Sequence, residues 1–89
     1  MDRITEQMLE RQIDRINQLT GNPQTLYTKE DGRFSPNVGN YHLAIQLGSF
    51  KLEQMAEGGG VHAILYGDSK RDLYNQLRAF IDGIQAKHQ

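Results

Sequence analysis

The sequence contains no cysteine and no tryptophan, and only 2 prolines among its 89 residues. Without cysteine there is no disulfide, no zinc–thiolate site and no cysteine nucleophile, and the composition fits a reducing compartment. No apolar run approaches the roughly 18 residues of a membrane-spanning helix, and the polar start of the chain is unlike a signal peptide. We therefore expect a soluble, cytoplasmic protein with no membrane partner.

An excess of charge of one sign is also lacking, because 10 Lys+Arg stand against 11 Asp+Glu and the net charge is −1. This balance argues against a broad electrostatic contact with nucleic acid and leaves only a local basic surface for such a partner. The length leaves room for one core. Residues 1–89 are therefore predicted to form a single small domain.

The first part of the chain has the pattern of an amphipathic helix over about residues 4–20. Thr5 is the predicted N-cap, and Gly21 and Pro23 supply the stop signal. The apolar residues recur at spacings that trace one face of a helix: Ile4, Met8, Leu9, Ile13, Ile16 and Leu19.

The last part of the chain predicts a second helix over about residues 69–85. Ser69 and Asp72 form a capping-box-like pair at its start, and Gly83 weakens its final turns. Its apolar stripe consists of Leu73, Leu77, Phe80, Ile81 and Ile84.

The segment between the helices, about residues 24–66, is predicted to be β-structure. The dipeptide Asp31-Gly32 indicates a hairpin turn, and Pro36 makes this first hairpin short or places it at a sheet edge. A second hairpin is predicted around a Gly48-Ser49 turn, and a third strand over residues 61–66.

The Gly48-Ser49 turn implies a register for the second hairpin. Leu47 would face Phe50, Ile45 would face Leu52 and Leu43 would face Gln54 on an apolar sheet face. The other face would be open to solvent or to an interface, with Gln46 opposite Lys51, Ala44 opposite Glu53 and His42 opposite Met55.

These elements predict a two-layer α+β domain: an N-terminal helix, an antiparallel sheet of three or more strands and a C-terminal helix, with both helices on one sheet face. A core of this size is marginal, so self-association is a natural supplement. Edge strands beside glycine-rich loops could pair between copies, which favours a homodimer.

The glycine run is the most unusual local feature, and it consists of Gly58, Gly59 and Gly60. Because it leads into a strand rather than a helix, the patterns of phosphate-binding loops do not apply. It is interpreted either as a flexible connection or as a mobile loop that becomes ordered on a partner.

The start of the second helix is the best candidate for an anion site. Ser69, Lys70 and Arg71 combine backbone N–H groups, a hydroxyl and two positive charges. One interpretation is a helix cap with solvated charges. The other is a site for the phosphate of a nucleotide or nucleic acid, or for an acidic protein.

Other chemistry has little support. His42 and His62 lie on different strands and His88 near the chain end, with no spacing typical of a metal site. No catalytic motif occurs, so we expect no enzymatic activity, no metal and no cofactor. The seven aromatic residues are interpreted mostly as core, although Tyr27, Tyr41 and Tyr66 could line a stacking surface.

Several stretches resemble a family of small accessory proteins encoded by phages and prophages of Proteobacteria. The resemblance is carried by residues 19–23 (LTGNP), 39–43 (GNYHL), 57–61 (EGGGV) and 70–74 (KRDLY). Gly48-Ser49 stands where the family usually has a Gly-Gly pair, and residues 66–68 (YGD) replace a second cluster of small residues. The resemblance implies expression in a bacterial host and transfers no site residue.

The leading hypothesis is a non-enzymatic protein that binds a host or phage protein, for example to inhibit a bacterial defence system. Its candidate contacts are the glycine run, the start of the second helix, and His42 and Lys51 on the mixed sheet face. One alternative is a nucleotide-binding, signal-sequestering protein that uses Ser69, Lys70 and Arg71. A nucleic-acid-binding regulator is another.

Overall fold

Two helices enclose a segment of five strands in the computed structural model, which describes residues 3–87. The elements in chain order are α1 (Glu6–Thr20), β1 (Tyr27–Glu30), β2 (Arg33–Pro36), β3 (Tyr41–Gln46), β4 (Ser49–Met55), β5 (Val61–Gly67) and α2 (Lys70–Lys87). A short 3-10 turn, Glu57–Gly59, precedes β5. The predicted α+β class is confirmed.

The ends of α1 follow the capping signals of the sequence. The Thr5 hydroxyl accepts a hydrogen bond from the Met8 N–H (3.2 Å), so Thr5 is the N-cap. Gly21 adopts the left-handed conformation (φ 72°), and its N–H bonds back to the Gln18 carbonyl. The helix thus begins two residues later than predicted and ends where predicted.

The start of α2 is closed by the predicted capping pair. The Ser69 hydroxyl accepts a hydrogen bond from the Asp72 N–H (3.0 Å), and the Asp72 carboxylate accepts one from the Asp68 N–H (3.2 Å). Gly83 does not end the helix, which continues to Lys87. The reason lies in packing, because Ile84 beyond the glycine still contacts the core.

The strands form two separate antiparallel sheets. β1 pairs with β2 in one sheet, and β3, β4 and β5 form the other with β4 in the centre. Between Leu52 and Glu53 the β4–β5 register shifts at a bulge, because Leu52 pairs with Leu65 and Glu53 with Ala63.

The predicted turn of the second hairpin is wrong by one position. The turn residues are Leu47 and Gly48, both with positive φ (50° and 80°), and Gln46 pairs with Ser49. Leu47 therefore does not face Phe50. Its side chain is 100% exposed at the tip of the hairpin.

This shift changes every cross-strand partner but not which residues share a face. Ile45 faces Phe50, Leu43 faces Leu52 and Tyr41 faces Gln54, while Gln46 faces Ser49, Ala44 faces Lys51 and His42 faces Glu53. The faces are preserved because strand residues alternate regardless of their partners. The mixed face is less open than predicted, since His42 and Glu53 are both largely buried.

The core joins both helices to the three-stranded sheet. Its buried members are Ile4, Leu9, Ile13, Ile16, Leu52, Leu73, Leu77 and Ile81. Tyr41, Leu43, Phe50 and Leu65 of the sheet pack against this cluster. The placement of both helices on one sheet face remains a prediction.

The interpretation of the aromatic residues as mostly core is correct for four of the seven. Tyr41, Phe50, Tyr74 and Phe80 pack against the core, and the Tyr41 and Phe80 rings meet edge to face at 5.9 Å. Tyr27, Phe34 and Tyr66 are exposed instead. Neither helix is long and apolar enough to cross a membrane.

Candidate functional site

The β1–β2 hairpin, which we call the arm, has no share in the core. Every residue of β1 and β2 except Pro36 is exposed. The register pairs Tyr27 with Pro36 and Lys29 with Phe34, so these four side chains share one side, the arm face. The arm face is apolar apart from Lys29.

Phe34 is the centre of the arm face. Its side chain is 68% exposed, and the Lys29 ammonium lies 5.6 Å from the ring centroid. A cation–π contact at an exposed site contributes only about 0.5–1 kcal/mol. Full burial of a phenylalanine is worth about 1.5–3 kcal/mol, so most of that stabilisation is left for a contact outside the arm.

The base of the arm is held by Asn37. Its side-chain amide donates to the Thr25 carbonyl (3.0 Å), its side-chain oxygen accepts from the Thr28 hydroxyl (2.8 Å), and its backbone N–H donates to the Leu26 carbonyl (2.8 Å). β2 also contacts the 3-10 turn before β5. These contacts give the arm a fixed root.

A basic cleft lies at the start of α2, where the sequence predicted an anion site. Its volume is about 640 Å³. Ser69, Lys70 and Arg71 line one side of it, and Arg3 and Phe50 contribute from elsewhere in the chain. Arg71 also takes part in another interaction. The structure thus brings the three predicted residues together and adds a cation that the sequence analysis did not include.

The chemistry of this cleft is limited by its own helix cap. The Ser69 hydroxyl and the Asp72 carboxylate already satisfy backbone N–H groups there. Asp68 adds a negative charge to the lining. A second cleft of about 470 Å³ shares Arg3 and Arg71 and adds Arg78. Cationic side chains are therefore the main groups that these clefts offer to an anion.

The contacts of His42 indicate a structural role. One ring nitrogen lies 3.2 Å from the Asn40 side-chain oxygen and the other 3.3 Å from the Glu53 carboxylate. Asn40 is fully buried and donates from its amide nitrogen to the Pro23 carbonyl (2.8 Å). Because both ring nitrogens have partners, His42 connects β3 to β4 and to the segment before β1.

Lys51 and the glycine run lie away from the basic cleft. Lys51 pairs with Ala44 and Tyr66, and its ammonium lies 6.0 Å from the Tyr66 ring centroid. Gly58 and Gly59 have positive φ (79° and 87°), which other residues adopt at a cost, and Gly60 accepts a hydrogen bond from the Ala56 N–H. The run therefore makes a tight connection into β5.

No group of three or more His, Cys, Asp or Glu residues that could hold a metal occurs within residues 3–87. His62 pairs with Gln54, on the opposite sheet side from His42 and Glu53. His88 lies outside the described residues.

Burial raises the pKa of the Tyr41 phenol above its ordinary value of 10.0.

Two asparagines were missed by the sequence analysis. The Asn17 amide donates to the Tyr41 carbonyl (2.9 Å) and its side-chain oxygen accepts from the Tyr41 N–H (2.8 Å), so it holds the outer edge of β3. A signal was available, because Asn17 is a polar residue next to the apolar stripe of α1. Asn37 stood in a segment read only as an interruption and gave no such signal.

Comparison of the chain with protein-family models, with curated proteins and with solved structures finds no match. The resemblance to phage accessory proteins therefore remains a prediction.

Proposed function

We propose that the protein acts by binding another protein through the arm face. The observation that carries this proposal is the 68% exposure of Phe34 on a hairpin that has no third strand among residues 3–87. An isolated two-stranded hairpin is marginally stable in water, and an ordered apolar surface typically belongs to an interface. A partner bound to the arm face would cover the Phe34 ring and stabilise the hairpin by packing against it.

The composition of the arm face suits a protein partner. Phenylalanine and tyrosine are common anchors of protein interfaces because they bury much area with few rotatable bonds. The Lys29 ammonium, which lies over the Phe34 ring, can pair with a carboxylate of the partner. The Asn37 contacts hold the arm in advance, which lowers the entropy cost of association.

The partner class in this proposal is a protein of the bacterial host or of the phage, and inhibition of a defence system is one concrete form. This part rests on the resemblance of the sequence to phage accessory proteins. In this proposal the protein acts in the cytoplasm of the bacterial host and has no enzymatic activity.

The experiment compares Phe34→Ser with Arg33→Ser. Arg33 is the neighbour of Phe34 on the opposite side of the arm, so the two variants alter the same strand on different faces. Proteins captured from host lysate by the wild-type chain are purified and titrated against all three chains by calorimetry. We expect Phe34→Ser to weaken binding by at least tenfold, because interface aromatics often contribute more than 1.4 kcal/mol.

Arg33→Ser should bind like the wild type. Equal affinities of Phe34→Ser and the wild-type chain for every captured partner would contradict the proposal. Thermal unfolding of both variants checks that the fold is intact, which we expect because both positions are exposed.

A second candidate function is the binding of a small anion, such as a nucleotide, in the basic cleft. The observation that favours it is that Arg3 and Lys70, which come from separate segments, line the same cleft of about 640 Å³. Thermal shift against a panel of nucleotides and short oligonucleotides tests it.

Stabilisation by a mononucleotide that Lys70→Gln removes and Lys87→Gln retains would support the anion site. Lys87 is the matched control, since it lies at the opposite end of α2. Stabilisation by oligonucleotides alone would favour the nucleic-acid alternative, and no stabilisation by any ligand would exclude both.

A further inference from the structure

The outer edge of β5 has unpaired backbone groups whose positions follow from the hydrogen bonds of β4. Met55 donates its N–H to Asn40 and accepts from the Gly39 N–H, both at 2.8 Å, so its backbone groups point towards β3. Backbone groups of successive strand residues point in opposite directions, so those of Gln54 point towards β5 and bond its partner, His62.

It follows that the backbone groups of Val61 and Ala63 point away from β4. The bond from the Ala56 N–H to the Gly60 carbonyl (2.8 Å) agrees, since Gly60 and His62 face β4 and Val61 between them does not. No other strand lies beside β5 within residues 3–87. Val61 and Ala63 therefore present N–H and carbonyl groups at an open sheet edge.

Elsewhere the edges of this sheet are occupied or interrupted at particular positions. Asn17 bonds both outward backbone groups of Tyr41 on β3. On β5 itself, the Gln76 side chain donates to the Tyr66 carbonyl (2.6 Å), and the register shift after Ala63 breaks the regular strand. Regular pairing is thus restricted to the first half of β5.

This first half lacks the usual protection of an edge strand. Natural edges carry charges or proline to prevent pairing, but the ten residues from 58 to 67 (GGGVHAILYG) contain neither. The Val61 side chain is exposed as well.

We propose that β5 pairs with β5 of a second copy of this chain, antiparallel, with His62 opposite His62 of the second copy. In this register Val61 faces Ala63 of the second copy and Ala63 faces its Val61, so the outward backbone groups meet. They make on the order of four inter-chain hydrogen bonds, and the two sheets become one. Such a pair has two-fold symmetry.

Two observations favour a second copy over a different partner. The segment contains no Asp, Glu, Lys or Arg, so two copies bring no such like-charged side chains together, whereas a charged peptide finds no acidic or basic partner of this kind on it. Val61 is placed beside the small Ala63 on the same face, which suits side-chain packing. Because both copies use the same edge about a two-fold axis, pairing through β5 closes as a dimer instead of extending into a fibre.

The test uses the absence of cysteine from the chain. In the proposed register the two His62 residues form a non-hydrogen-bonded pair, with Cα atoms about 4.5 Å apart. This separation lies within the range of about 4.4–6.8 Å in which disulfides form. His62→Cys should therefore form a disulfide-linked dimer under mild oxidation.

Leu47→Cys is the control, because position 47 is fully exposed and reports cross-linking by random collision. We expect several-fold more cross-linked dimer for His62→Cys than for Leu47→Cys, and its loss when Ala63→Pro is added. Proline removes only an N–H group that points away from β4, so circular dichroism should show the fold retained.

Light scattering of the wild-type chain should show the mass rising from 10.2 kDa towards twice that value with concentration. Cross-linking of His62→Cys no greater than that of Leu47→Cys would overturn the proposal. A dimeric mass without this cross-link would overturn the assignment to β5. The comparison of the two cysteine variants holds even if Ala63→Pro does not fold.

Discussion

The two hairpins of this protein close on the same kind of turn but are stabilised in different ways. In the arm, Asp31 and Gly32 both have positive φ (50° and 77°); in the β3–β4 hairpin, Leu47 and Gly48 do (50° and 80°). Asp-Gly suits such a turn, whereas leucine is disfavoured there because its Cβ crowds the backbone. The arm has the turn that its residues favour, whereas the β3–β4 hairpin has a turn that its residues disfavour.

The reason for this difference is packing. Leu52 on β4 is completely buried, and Leu43 and Phe50 pack against the same core. In the observed register Leu43 lies opposite Leu52, so both pack against the core, and Leu47 is left in a left-handed conformation that costs roughly 1–2 kcal/mol. Register is therefore set by the turn where no core exists, and by the core where one does.

The largest expected effect comes from truncating one apolar residue in each hairpin. Leu52→Ala should lower the free energy of unfolding by about 2–5 kcal/mol, because it leaves a cavity in the core. Phe34→Ala should change it by less than about 0.5 kcal/mol, since the ring is already exposed. Urea unfolding measures both, and a large loss in Phe34→Ala would show that the arm is packed more firmly than described.

The next effect concerns the asparagine that anchors each hairpin. Asn17→Ala should cost roughly 2–3 kcal/mol, because it leaves both backbone groups of Tyr41 without partners in a partly buried site. Asn37→Ala should loosen only the arm. Hydrogen exchange would then show faster exchange in β1 and β2 alone, while global stability changes little. Equal global losses in the two variants would contradict this division.

A substitution in the turn of the β3–β4 hairpin should have a smaller effect, and it should raise stability instead of lowering it. Leu47→Asn should raise the free energy of unfolding by about 1 kcal/mol, because asparagine tolerates the left-handed conformation and Asn-Gly favours this turn. Asp31→Asn in the arm turn is the matched control, and it should be nearly neutral. A loss of stability in Leu47→Asn would mean that packing does not hold this register.

The same contrast explains how far the sequence could predict the fold. The helices, the Asp31-Gly32 turn and the third strand were predictable because caps, turn residues and periodicity act locally. The Leu47-Gly48 turn was not, because Gly48-Ser49 is the better local turn, whereas the observed turn goes with a pairing that puts Leu43 opposite Leu52 at the core.

The candidate sites also differ in how far the sequence could predict them. Ser69, Lys70 and Arg71 are adjacent in sequence, so their shared position at a helix start could be predicted. The addition of Arg3 to that cleft depends on tertiary contact between the ends of the chain. The exposure of Phe34 was missed because an isolated aromatic residue in a strand usually belongs to a core, and nothing local shows that the arm lacks one.

The smallest expected effect concerns pH and the tyrosine of the core hairpin. Burial raises the pKa of Tyr41 above 10.0, so above this pH the unfolded chain releases the phenolic proton before the folded chain does. The free energy of unfolding should then fall as the pH rises above 10.0. Tyr41→Phe removes this contribution and should match the wild type near pH 7, because both rings are then uncharged. Urea unfolding at neutral pH and at about pH 10.5 measures the difference between the chains. A wild-type loss on alkalinisation no greater than that of Tyr41→Phe would show that the phenol is as well solvated in the folded hairpin as in the unfolded chain.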